Sequence, residues 1–207
     1  MIMLKQLLTT AGLCILCSSA LAEGQNYTLT IEGKTYDAAP GEIVHAKLKS
    51  GVDVDIAFER KAFGTFNNDG FSFEYPSAMA VAETEIDKGI TQFALSTAVG
   101  SMVIVQRYAD NHAEKLVEFL LDEMVKDDKN LGAKIDKQPV TMKLKDGKVL
   151  KGMKVIVTQG SDEARLEAYG ADIGSGGLVA ISRITAEDMG KDEPMIDRFW
   201  ESLSIDN

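Results

Sequence analysis

The chain is poor in the residues that carry thiol and imidazole chemistry. It has two cysteines, Cys14 and Cys17, and two histidines, His45 and His112, in 207 residues. Both cysteines fall inside a segment that reads as an export signal. Their C-x-x-C spacing, a redox pattern elsewhere, is therefore expected to leave with it. The remainder has no thiol to form a disulfide, act as a nucleophile or ligate a metal. Basic residues are outnumbered as well, 22 against 32 acidic, for a net charge of −10. Such a surface repels phosphate backbones and anionic lipid, and no dense basic stripe offsets it, so nucleic-acid binding is not expected. Beyond residue 22 there is no apolar run of the roughly 20 residues that a bilayer requires. Internal repeats and low-complexity linkers are missing too.

The first residues have the three parts of a secretory signal: Lys5 near the start, an apolar stretch from Leu7 to Cys17, and the A-x-A site Ala20-Leu21-Ala22 before Glu23. We expect 1–22 to be a cleaved signal peptide, the mature chain to begin at Glu23, and the protein to be periplasmic or secreted. Lipidation needs a small residue just before the cysteine. Leu13 and Leu16 stand there, so neither a lipoprotein nor membrane insertion after cleavage is expected.

Past the signal, alternating patterns predict hairpins. Tyr27, Leu29 and Ile31 share one face, and a turn at Glu32-Gly33 sets Leu29 opposite Tyr36. A second hairpin turns at Lys49-Ser50-Gly51. That three-residue loop pairs Leu48 with Val52 and Ala46 with Val54, whereas a one-residue slip would set Leu48 against Asp53. The opposite face then pairs Lys47 with Asp53 and His45 with Asp55. The turn cluster Asn67-Asn68-Asp69-Gly70 divides an N-terminal hairpin region, 23–66, from a larger region, 67–207. Phe71 to Pro76 is an alternating aromatic strand, and further strands are expected at 91–97 and 102–107.

One long helix follows, capped by Asn111 with Glu114 in a capping box. Ala113, Leu116, Val117, Leu120, Leu121 and Met124 form its apolar stripe, and Gly132 ends it. Val140, Met142 and Leu144 run into Asp146-Gly147, a strong hairpin signal. Strands at 163–172 and 178–185 flank Gly174-Ser175-Gly176-Gly177. A last helix is expected near Asp192, with Pro194 in its first turn and Ser204 to Asn207 as a short tail. Strands joined by hairpins rather than helices make the fold class α+β.

Catalytic constellations are scarce in this pattern. G-x-S-x-G is absent, as are the P-loop and dinucleotide spacings and the calcium loop. The glycine run 174–177 reads as a turn. His45, Asp53 and Asp55 share a hairpin face, and an imidazole with two carboxylates is a candidate divalent-metal set; Lys47 beside them works against it. Carboxylates are also paired at Glu83/Glu85, with Asp87 beyond, and at Asp127/Asp128 and Asp162/Glu163. One raised carboxyl in a cleft would serve acid–base work, while an exposed acidic edge would instead discourage strand aggregation. No catalytic residue and no cofactor are expected.

Two passages resemble the PsbP-like superfamily over about 70–205. Phe71-Ser72-Phe73-Glu74-Tyr75-Pro76 is similar to that family's opening strand, and Ile196-Asp197-Arg198-Phe199-Trp200-Glu201-Ser202-Leu203-Ser204-Ile205 to its final helix and tail. The resemblance implies an antiparallel β-sheet flanked by helices, an α/β/α sandwich, with the N-terminal hairpins as an extension. It also implies no shared catalytic residues and an accessory or binding role, the partner being another envelope protein.

Overall fold

The structure, a computed structural model, describes residues 27–110 and 112–206. The export signal, Glu23 and the Asn111 cap lie outside the described residues. The chain divides into two compact units, Met1–Arg60 and Lys61–Asn207.

The first unit is two hairpins. Strands β1 (Tyr27–Ile31) and β2 (Lys34–Ala38) turn at Glu32-Gly33, and Leu29 lies opposite Tyr36. Both turn residues have positive φ, 47° and 85°, the signature of the tight hairpin turn that suits strand twist. Strands β3 (Ile43–Lys47) and β4 (Asp53–Ala57) follow the expected register, His45 opposite Asp55 and Lys47 opposite Asp53. Leu48 N–H donates to Val52 O at 2.9 Å, closing the three-residue loop. The hairpins are tied by Lys49 N–H donating to Glu32 Oε2 at 2.5 Å. Among the described residues of this unit, the buried apolar ones are Ala38, Val44 and Ala46, all of modest size.

The second unit begins with a strand that the sequence pattern does not announce, β5 (Phe63–Asn68), paired along its length with β6 (Phe71–Pro76). Asn67 and Asn68 thus belong to the strand, and the turn is Asp69-Gly70 alone. β5 thus belongs with the second compact unit, which starts at Lys61. Strands β7 (Ala82–Asp87), β8 (Ile90–Ser96) and β9 (Met102–Tyr108) form a meander. After the helical segment come β10 (Lys134–Lys143), β11 (Val149–Gln159), β12 (Asp162–Ile173) and β13 (Gly176–Thr185). These seven form one antiparallel sheet in the order β10-β11-β12-β13-β9-β8-β7.

The expected single helix is broken. A 3-10 turn, Ala113–Lys115, leads into α1 (Val117–Met124), and Val125 separates it from α2 (Lys126–Asn130). The break follows the apolar stripe: after one further buried residue, Val125, comes α2, whose five residues are all polar, with none buried. α2 therefore has no apolar face to lay on the sheet. The last helix, α3 (Met189–Ser202), starts earlier than expected, so Pro194 sits inside it. Proline has no N–H, so the Gly190 carbonyl four residues back receives no helical bond from it. The expected tail is instead β14 (Ser204–Ile205), paired with β6 in a three-stranded sheet β14-β6-β5.

Alternate residues of the seven-stranded sheet serve two apolar clusters. Leu178, Ala180 and Ile184 of β13 join Phe71, Phe73, Phe199 and Leu203 from β6 and α3. Val179 and Ile181 join Ala113, Val117 and Leu121 from the first helical segment. β13 is therefore apolar from Leu178 to Ile181, where successive side chains enter opposite clusters.

Candidate functional site

The hairpin trio does not converge. His45 Nδ1 lies 2.6 Å from Asp55 Oδ1, with both side chains largely exposed. Asp53 faces Lys47 Nζ at 4.0 Å instead. No three metal-ligating side chains gather among the described residues. The cross-strand pairing seats a lysine where a third ligand would be needed.

The other paired carboxylates separate into two kinds. Glu83, Glu85 and Asp87 lie on β7, an edge strand exposed along its whole length. They guard that edge against strand addition. Asp128, Asp162 and Glu163, by contrast, meet around a cleft of about 680 Å³ in the second unit. Its charged walls come from four places. The start of β12 brings Asp162 and Glu163, the end of β13 brings Arg183, the turn before α3 brings Glu187 and Asp188, and α2 brings Asp128. Five of these side chains are acidic and one is basic.

Local bonds fix these groups. Thr185 Oγ1 donates to Asp188 Oδ2 at 2.6 Å, and Ala186 N–H donates to Glu163 O at 2.7 Å, binding the end of β13 to the start of β12. Arg183 and Asp128, both about three-quarters buried, approach to 3.9 Å. Arg183 is thereby partly engaged by one carboxylate, leaving four others around the opening. Val99 reaches the cleft from the β8–β9 loop. Within that loop, Thr97 Oγ1 donates to the buried Asp192 at 2.7 Å.

Several other polar and titratable groups hold the fold. Asp172 accepts Ala113 N–H at 3.1 Å and lies 2.9 Å from His112 Nδ1, fixing the start of the first helical segment. A polar ladder runs from Tyr108 OH to Gln106 Oε1 and from Gln106 Nε2 to Gln92 Oε1. Burial raises the Tyr108 hydroxyl above its usual value. Burial, reinforced by the neighbouring Glu167 carboxylate, pushes Tyr169 up to about 12. Lys137 is raised chiefly by its bond to Asp122, which its ammonium approaches to 2.6 Å.

Asp127/Asp128 and Asp162/Glu163 stand out in the sequence as pairs, but nothing in it shows that Asp128, Asp162, Glu163 and Arg183 share a cleft. Their separation along the chain hides it. No helix among the described residues is long and apolar enough to cross a membrane. Comparison with known proteins gives a weak structural likeness. The chain is similar to the solution structure of cyanobacterial PsbP (CyanoP) from Synechocystis sp. PCC 6803, at 10% identity and a TM-score of 0.46, over 70% of this chain and 92% of that one. A crystal structure from Bacteroides thetaiotaomicron is similar at 13% identity and a TM-score of 0.38, over 71% of this chain and 50% of that one. No family model matches the sequence, and no curated protein matches it.

Proposed function

We propose that the protein is a non-enzymatic accessory or binding protein of the cell envelope, exported by cleavage of 1–22, and that its second unit binds a cationic segment of another envelope protein. The observation that carries this reading is the cleft with five acidic and one basic lining side chains. A concave site of one sign concentrates counter-charged groups and steers their approach. The net charge of −10 extends the same field over the molecule. The solvent exposure of Glu83, Glu85 and Asp87 on β7 supports a non-catalytic role for them. The same reading takes the seven-stranded sheet as the middle layer of a PsbP-like α/β/α sandwich, supported by its two apolar clusters.

Calorimetric titration with a lysine-rich peptide tests the reading. Binding is expected at low ionic strength, with affinity falling as salt screens the cleft. Asp162→Asn with Glu163→Gln should weaken it at least tenfold, and Arg183→Gln should strengthen it. The control Glu83→Gln with Glu85→Gln should change it little. No heat of binding, or equal losses from the cleft and control variants, would remove the cleft from consideration.

A further inference from the structure

Arg60 and Lys61 are adjacent basic residues in an acidic chain, and the boundary between the two compact units falls between them. Both are exposed, and 58–61 has no regular secondary structure. Upstream, β4 pairs with β3; downstream, β5 pairs with β6. The segment therefore joins strands that do not pair with each other.

We propose that Arg60-Lys61 is a processing site for an endoprotease that cuts after basic residues, and that hydrolysis there frees the second unit intact. Proteases of this class accept substrate as several residues of extended chain, so accessible backbone matters as much as side-chain identity. Among the described residues, Lys49, Lys88, Lys145 and Lys148 also lie outside helices and strands. Each of these sits in a tight turn between two paired strands, β3–β4, β7–β8 or β10–β11. Drawing such a turn into a protease cleft requires peeling ladder bonds on both sides. Drawing in 58–61 costs the one bond from Gly41 N–H to Phe58 O, at 3.0 Å, and leaves the ladders on both sides paired.

The anchoring of the segment selects the bond. Ser77 Oγ donates to Lys61 O, and Ser77 N–H to Ala62 O at 3.0 Å. These contacts hold the start of the second unit and favour attack one residue earlier, at the Arg60 carbonyl. Water adds across the Arg60–Lys61 bond, Arg60 departs with a new carboxylate and Lys61 keeps a new amine. The fragment from Lys61 retains the whole β5–β6 pairing and both Ser77 contacts.

Brief digestion of the purified protein with trypsin under native conditions, followed by mass spectrometry, tests this. The first cut among the described residues should fall after Arg60. The resulting fragment should persist while the sites at Lys49, Lys88, Lys145 and Lys148 are intact, and should melt cooperatively by circular dichroism. The variant R60Q/K61Q should form it at least tenfold more slowly. A first cut in any of the hairpin turns, a fragment degraded as fast as it appears, or an unchanged rate in the variant would overturn the proposal. Peptide binding at the cleft should survive processing, so failure of either experiment leaves the other interpretable.

Discussion

A methyl group at Gly176 would lie 2.0 Å from the Tyr108 carbonyl oxygen, and one at Gly152 would lie 2.2 Å from that of Ala168. The constraint is close approach of backbone, since neither glycine has a positive φ. Gly176→Ala must therefore pry β13 from β9, and a loss of about 2 kcal/mol or more is expected in urea unfolding. The glycine run 174–177 reads from sequence as a flexible loop, yet half of it is strand. Composition shows the glycines; only the neighbouring strand shows why they are needed. Tyr169 makes a second prediction. Its hydroxyl is held neutral up to about 12, above the 10.0 of an unburied tyrosine. The unfolded chain loses this proton first, so the contribution is fully present below pH 10 and is lost as pH rises towards 12. Urea midpoints should fall across that window, and Tyr169→Phe should flatten the fall.

Between α3 and β6, the link is more specific than apolar packing alone. Arg198 Nε donates to Glu74 Oε2 at 2.6 Å, and Ser202 Oγ accepts Glu74 N–H at 2.8 Å while donating to Arg198 O. Phe73 and Phe199 meet edge to face at 5.0 Å, and the Arg198 guanidinium lies over the Phe63 ring. The two sequence passages that stood out, 71–76 and 196–205, are thus two sides of one joint. A double-mutant cycle on Glu74→Gln and Arg198→Gln should give a coupling of about 1 kcal/mol, modest because both groups keep roughly a third of their exposure. Additivity within 0.3 kcal/mol would show that packing alone makes the joint. Element prediction succeeded where one periodicity ran uninterrupted, as in the hairpins of 27–57, whose register follows from keeping one apolar face. It failed at β5, where Gly64 interrupts the segment and the partner strand decides the conformation. It failed again at the helix, where loss of apolar residues after Val125 mattered more than helical propensity.

The whole molecule is uneven in its supports. The second unit packs two apolar clusters against one sheet, whereas the first buries Ala38, Val44 and Ala46 between two-stranded hairpins. Isolated hairpins are marginal, so amide hydrogens of β1–β4 should exchange at least tenfold faster than those of β9, β12 and β13. Equal protection would mean that the first unit draws support from elsewhere. The fold class was readable because strands follow strands through short turns. The cleft was not, because Asp128, Asp162, Arg183 and Asp188 become neighbours only through sheet order and the placement of α2 and α3. The pairing of β14 with β6 has a kinetic consequence. The second unit needs residue 205 beside residue 71 before its smaller sheet is complete. A chain held back by its C-terminal end therefore cannot seat β6 between its two neighbours or lay α3 over it. Assembly of this unit waits for late residues, as expected of a topology rich in distant contacts. Until then Phe71, Phe73 and Phe199, each nearly inaccessible afterwards, are open to a holdase chaperone.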